Sequence, residues 1–355
     1  MTRQGATGSV LARYRRAATR VARLVGLVVG LVFAALIGRT SPAWAQTPRG
    51  TVITDTVWSQ ALGARKALMV YLPPSYRANS TTRYPVAYYL HGLGGDETNW
   101  TKVGGIDQVM DSLVAAGMPE MIVAMPDGDD SWYATYNVLL DAAGCRRMLR
   151  QGADADRDCV AWPHYDDYIA FDVVRHTDAK YRTVASARAR AIAGLSMGGY
   201  GAVTLALQYP AVFSAAASHS GVLSPMEFAP APFGRGLYTR ATADSAAAAS
   251  FRNRNAEKFR IVFGSDSSGW RARDPAVLAA RLVERGSTVP ALFVDGGVGD
   301  FFLPQSRAFA EAMQSRSIPV QYHEWPGSHD WVYWRGHVGE SLRWIASRIA
   351  ASGSR

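Results

Sequence analysis

Short apolar runs, each followed by a stretch with helical spacing, recur along this chain from Tyr84 onward and restrict its folds more than any other feature. "YPVAYYLHG" reads as a strand, "IDQVMDSLVAAG" as a helix, "MIVAMPDG" as a strand and "YDDYIAFDVVRHTDAKY" as a helix. Further strands are expected at Ala189 to Leu195, "FSAAASHSG", "FRIVFGS", "ALFVDGG" and "VQYHEW". Helices are expected at Tyr200 to Leu207, Pro275 to Arg285, Pro304 to Gln314 and Arg335 to Ala350. Repeated β-α units imply a mainly parallel sheet with helices on both faces. An antiparallel strand pair, "TVITDTVWSQALGARKALMVYLPPSY", precedes them and ends at Pro73-Pro74. Gly221 to Asn255 fits no such unit and is expected to cover the site as a cap or loop. In a sheet of this kind, chemistry collects at the carboxyl ends of the strands.

The first 45 residues stand apart. Arginines lead into "LVGLVVGLVFAALIG", and "AWA" at Ala43 to Ala45 has the small-x-small form of a signal peptidase site, so residues 1–45 read as a secretory signal. The apolar run is short for a membrane span, which takes about 20 residues. Arg15-Arg16 is followed by a poor match to a twin-arginine signal, which favours the general export route. Removing this segment changes the charge argument. The chain carries 38 basic against 29 acidic residues, a net charge of +9 that would suggest a nucleic-acid partner. Seven of the arginines and none of the acids lie before residue 46, leaving 31 against 29, so that suggestion falls away. Residues 46–355 show no repeat or long linker and read as one catalytic domain. Cys145 and Cys159, fourteen apart, are expected to form a disulfide in an oxidising compartment, worth about 3 kcal/mol in the chain-entropy model. No second pair of ligands near them suggests a metal.

"AIAGLSMGGYGAV" places Ser196 between paired glycines where a strand gives way to a helix. In this G-x-S-x-G pattern the glycines remove Cβ atoms that would collide with a sharp turn, and the turn pushes the hydroxyl outward. The following helix aims its N–H groups at any anion formed there. A serine hydroxyl is a weak nucleophile, so it needs a base and a group that orients the base. When such an elbow supplies the nucleophile, acid and histidine follow it in that order. Of the late histidines, His323 falls in a strand and His337 in a helix. His329 in "WPGSHDW" lies on a loop after a strand and is the candidate base. For the acid, "VDGGVGDFFL" offers Asp295 at the strand edge and Asp300 farther out, and Asp300 is preferred. Asp266 in "FGSDSSG" is the reserve. The oxyanion donors are expected to be the backbone N–H groups of Met197 and of Leu93 in "LHGLGG", with His91 fixing that turn.

With these residues in hand, the chain resembles the esterase D branch of the α/β-hydrolases, which includes S-formylglutathione hydrolases, bacterial feruloyl esterases and mycolyltransferases. "YYLHGLGGDETNW", "WYATYN", "AGLSMGGYGA", "GVGDFFLPQSRAF" and "PGSHDWVYW" carry the resemblance and occur in the family's order. It implies an α/β-hydrolase fold, with Ser196, Asp300 and His329 as the triad and Leu93 and Met197 as the oxyanion hole. Trp331 and Trp334 resemble the aromatic positions after the family's histidine, and Trp132 and Trp331 are candidate substrate-lining residues. Two departures stand out: residues 139–163, which hold the cysteines, look like an insertion, and the acid is aspartate where mycolyltransferases tend to use glutamate.

The function expected is an exported serine esterase that works through an acyl-enzyme without cofactor or metal, on a small-molecule, glycan or lipid ester. An acyltransferase, with a sugar or lipid hydroxyl replacing water, shares the same triad. A non-catalytic binding protein of this fold would usually have lost the serine or histidine. S-formylglutathione does not suit an exported enzyme. The insertion is expected to stand at the rim of the site, where Arg146, Arg147 and Arg150 could meet substrate.

Overall fold

The computed structural model describes residues 49–135, 142–228, 246–264 and 266–349. The expected signal at residues 1–45 therefore lies outside the described residues, as do residues 139–141 of the insertion and 229–245 of the cap.

Eight strands form one sheet: β1 (Thr51–Ser59), β2 (Ala64–Leu72), β3 (Val86–Leu90), β4 (Ile122–Pro126), β5 (Arg190–Leu195), β6 (Ala215–His219), β7 (Ala291–Gly297) and β8 (Val320–Trp325). Their order is β1-β2-β4-β3-β5-β6-β7-β8. β1 pairs antiparallel with β2 and β2 antiparallel with β4, while β3 to β8 run parallel. The central strands are mostly apolar because both faces are covered, with His219 of β6 and Asp295 of β7 as buried ionisable exceptions. Alternate residues serve opposite cores: Val86, Tyr88 and Leu90 pack on one side, Ala87 and Tyr89 on the other. The helix Met197–Gln208, which follows the elbow, fills the first core with Tyr200, Val203 and Leu207. The second core is closed by Ile106, Met110 and Leu113 from helix Ile106–Ala115 and by Val338, Leu342 and Ile345 from the C-terminal helix Trp331–Ile349. Among the described residues, no helix is long and apolar enough to cross a membrane.

Two expectations about elements are corrected. "FRIVFGS" is not a strand: Ala256–Phe263 is a helix that buries Phe259, Val262 and Phe263. Their i, i+3, i+4 spacing places all three on one helix face, whereas a short apolar run read alone fits either element. Asp266 consequently follows no strand. It is exposed and caps the helix Ser267–Ala272, accepting the N–H groups of Ser268 and Gly269 at 2.9 and 3.1 Å. The C-terminal helix begins at Trp331, four residues earlier than expected, so Trp331 and Trp334 sit on its first turn.

The cysteines are joined: Cys145 and Cys159 form a disulfide with a Cα separation of 5.7 Å. The end of the insertion packs on the β1–β2 turn, where Leu62 O accepts the N–H groups of Ala161 and Trp162.

Candidate active site

At the end of β5, Ser196 takes a left-handed backbone conformation, φ 53° and ψ −116°, costly for a residue with a Cβ. The glycines beside it are there for close approach. A Cβ on Gly198 would lie 2.5 Å from the carbonyl oxygens of Leu90 and His91, and one on Gly194 would lie 2.4 Å from the backbone of Gly198. The strained turn is held by its neighbour, since Ser196 N–H donates to His219 O on β6 at 2.9 Å. Met197 opens the next helix, and the first N–H groups of any helix lack an intrahelical acceptor.

Three side chains far apart in sequence meet at this turn. His329 Nε2 lies 2.9 Å from Ser196 Oγ, and His329 Nδ1 lies 2.9 Å from Asp300 Oδ2. Asp300 also accepts the Phe302 N–H on Oδ1 at 2.7 Å, and its side chain is fully buried. An ionised carboxylate offers only acceptors, so Nδ1 carries the imidazole proton and Nε2 presents a lone pair to the serine hydroxyl. The ring is fixed by Phe301, Phe302 and Trp334, whose centroids lie 4.9, 5.1 and 5.0 Å from it. Asp295 makes a different set of contacts. It is buried against His219 and accepts the Tyr333 hydroxyl at 2.9 Å. His323 is on β8, its Nε2 2.9 Å from Gln321 Nε2, and His337 stacks on Trp325, so neither reaches the serine.

The loop Gly92–Gly95 passes in front of Ser196, and the segment after β4 grips it from behind. Gly128 N–H donates to His91 Nε2 at 2.9 Å, so Nδ1 holds the ring proton and donates it to Gly92 O at 2.8 Å. Tyr133 OH donates to His91 O at 3.0 Å, and Gly94 N–H donates to Asp130 at 2.6 Å. This gripping segment is itself strained, with positive φ at Asp129, Trp132 and Tyr133. It is anchored by Lys66, whose wholly buried side chain lies 2.8 Å from Asp127 and 2.7 Å from Asp129. Burial alone would lower the Lys66 pKa, but Asp129 and Asp127 outweigh it and raise it above the ordinary lysine value. Burial would raise the Asp127 pKa, but the charge and hydrogen bond of Lys66 and the bond from the Asp129 N–H hold it below the usual carboxylate range. His91 is thus a bracing residue, as expected from the sequence.

A cavity of about 360 Å³ opens over Ser196 and His329. Leu93, Phe251, Phe301, Trp331 and Trp334 make much of its wall, so it is aromatic and apolar around one polar line. A larger open groove of about 770 Å³ lies between helix Leu303–Gln314 and β8 and contains none of these groups. Trp331 lines the cavity, but Trp132 does not. Trp132 has a positive φ and is fully buried among Tyr200, Phe259 and Phe263. Arg146, Arg147 and Arg150 are not in the cavity wall either. The described part of the insertion packs on β2 and on the β1–β2 turn. Phe301 was not anticipated in the wall, although the "DFF" run beside Asp300 was a signal for it, whereas Phe251 belongs to the segment Gly221 to Asn255 read from the sequence as a covering cap or loop.

A protein-family model described as "Putative esterase" matches residues 59–345. The chain belongs to this esterase family. Esterase Rv1288 of Mycobacterium tuberculosis is 28% identical over 311 residues, which cover 85% of this chain and 61% of that protein. The chain thus spans about three fifths of the length of this curated relative. A solved ferulic acid esterase is 25% identical with a TM-score of 0.62, covering 85% of this chain and 99% of that one. FphF, a fluorophosphonate-binding serine hydrolase of Staphylococcus aureus, shares the fold at 23% identity and a TM-score of 0.63, covering 84% of this chain and 99% of its own. The architecture is accordingly the α/β-hydrolase fold.

Proposed function

We propose that this esterase is an exported serine carboxylic ester hydrolase acting through an acyl-enzyme, with Ser196 as nucleophile, His329 as general base and acid, and Asp300 as the group that orients the histidine. The unbroken Ser196–His329–Asp300 line, with 2.9 Å at each contact, carries this reading. As Ser196 Oγ attacks the ester carbonyl carbon, His329 Nε2 takes the hydroxyl proton, and Asp300 stabilises the imidazolium that forms. The carbonyl oxygen becomes an oxyanion facing the N–H groups of Leu93 and Met197, and losing one such donor costs about 3 to 4 kcal/mol in barrier. His329 then returns the proton to the leaving alcohol, which departs and leaves the acyl group on Ser196. Water, deprotonated by the same nitrogen, releases the acid.

The aromatic wall suits acyl groups that are flat or extended and apolar, and the ferulic acid esterase likeness points the same way. Export is inferred from the signal-like residues 1–45 together with the Cys145–Cys159 bridge. Turnover of a panel of p-nitrophenyl and feruloyl esters, run with and without trehalose as acceptor, tests the reading. Hydrolysis abolished by Ser196→Ala supports it. Acyl transfer to trehalose that outruns hydrolysis would make the protein an acyltransferase, and no turnover of any ester would overturn the assignment.

A further inference from the structure

A second Ser-His-Asp line runs through this molecule beneath the first, wholly out of reach of solvent. Asp295 at the end of β7 lies with its Oδ2 2.6 Å from His219 Nδ1, an ion-pair distance without the alignment of a hydrogen bond. His219 Nε2 lies 2.7 Å from Ser341 Oγ on the C-terminal helix, and Ser341 Oγ lies 2.9 Å from Tyr89 OH on β3. The other oxygen of Asp295 accepts the Tyr333 hydroxyl at 2.9 Å. Asp295, His219, Ser341 and Tyr89 are all fully buried, so no substrate reaches Ser341. Burying ionisable groups is unfavourable unless partners compensate, so plain apolar packing would cost less here.

Two members of this array, His219 and Tyr333, each hold one half of the candidate site. On one side, the carbonyl of His219 accepts the Ser196 N–H at 2.9 Å, fixing the strained turn that carries the nucleophile. On the other, Tyr333 packs so closely on Gly327 that a Cβ there would lie 2.5 Å from its ring, and its N–H donates to Asp330 at 3.0 Å. Gly327 and Asp330 flank His329 on one loop, and Gly327 O accepts Gly299 N–H at 2.8 Å beside Asp300. A single buried carboxylate therefore touches both the residue that holds Ser196 and the residue that packs under the His329 loop.

We propose that Asp295, His219 and Tyr333 are positioning residues that keep the Ser196 turn and the His329 loop in register, with Ser341 and Tyr89 completing the array. The proposal rests on the serine-hydrolase reading above. Tyr333→Phe is the sharpest test, because it removes one hydroxyl and keeps the ring. A misplacement of about 1 Å costs on the order of 100-fold in rate. The expected result is a kcat for p-nitrophenyl acetate lowered about 10- to 100-fold, KM within about twofold, and equally slower labelling of Ser196 by a fluorophosphonate probe. Asp295→Asn should behave alike, and Tyr333→Phe carries the test if that variant does not fold. A lowered melting temperature with unchanged kcat and labelling rate would make the array structural only and overturn the proposal. Ser196→Ala is measured alongside: turnover surviving in it would overturn the serine-hydrolase reading, and the proposal with it, whereas loss there with wild-type kinetics in Tyr333→Phe defeats the proposal alone.

Discussion

Replacing Asp300 with asparagine should abolish most turnover, and the surroundings of the side chain say why. One carboxylate oxygen accepts from His329 Nδ1 at 2.9 Å and the other from the Phe302 N–H at 2.7 Å. Asparagine supplies one acceptor and one donor in place of two acceptors. The Phe302 N–H is fixed by the backbone, so the amide oxygen turns toward it and the amide NH₂ faces the imidazole. That orientation requires a bare Nδ1 and puts the ring proton on Nε2, where it can no longer receive the Ser196 proton. The tautomer is then wrong for attack, a change worth about 10⁴-fold in kcat in a comparable triad, or about 5.4 kcal/mol of barrier. Steady-state hydrolysis of p-nitrophenyl acetate at pH 7.5 measures it, with circular dichroism to verify the fold. The positioning array gives the contrast, since Asp295→Asn should lose only about 10- to 100-fold. Asp300→Asn within tenfold of wild type, or below it in loss compared with Asp295→Asn, would refute this assignment of the acid.

Ser196→Ala and His329→Ala should each lower kcat by roughly a million-fold, and the double variant should be little worse, because the line acts as one unit. Near wild-type hydrolysis by Ser196→Ala would remove Ser196 from the chemistry. Gly198→Ala should yield inactive protein with a lowered melting temperature, since its Cβ would meet the Leu90 and His91 carbonyl oxygens at 2.5 Å and press on the Gly92–Gly95 loop. Unaltered kinetics would show that the loop yields freely. Cys145→Ser with Cys159→Ser should lower the melting temperature by about 5–10 °C, from about 3 kcal/mol of lost chain constraint. It should leave KM unchanged for bulky esters, as the loop stays out of the cavity wall; a raised KM for those alone would return the loop to the site. Burial would raise the Asp55 pKa, but bonds from Lys180, Tyr181 and His176 outweigh it and hold it below the usual carboxylate range. Its folded pKa is thus below its unfolded one, so the stabilisation is present above about pH 4 and lost as pH falls below it. The melting-temperature gap between wild type and Asp55→Asn should be widest above about pH 5 and narrow progressively as pH falls below about 4, and a gap independent of pH would refute the linkage.

What the sequence made legible follows from which interactions are local. The G-x-S-x-G turn, the capped helices and the apolar strands depend on residues within one turn of each other, and all but one strand was found where expected. The exception, Phe259 to Ser265, is a segment whose apolar spacing fits a strand or one helix face. Its choice is made by Trp270 and Trp132, which pack against Phe259 and Phe263 from other parts of the chain. Trp132 was misjudged for the same cause. Its place in "SWYATYN" suggested a substrate wall, but its ring is buried against Tyr200, Phe259 and Phe263 from distant parts of the chain. The order Ser, Asp, His picked out Ser196, Asp300 and His329 because the parallel sheet brings successive strand ends to one edge, so chain order does the work of geometry. No such order governs the buried line through Asp295. His219 and Asp295 are paired across β6 and β7, but Ser341 joins them from a helix that crosses the second core. Such a contact is specified only by tertiary packing, and it is there, between elements that the local signals placed correctly, that the chain keeps the information a sequence reader cannot recover.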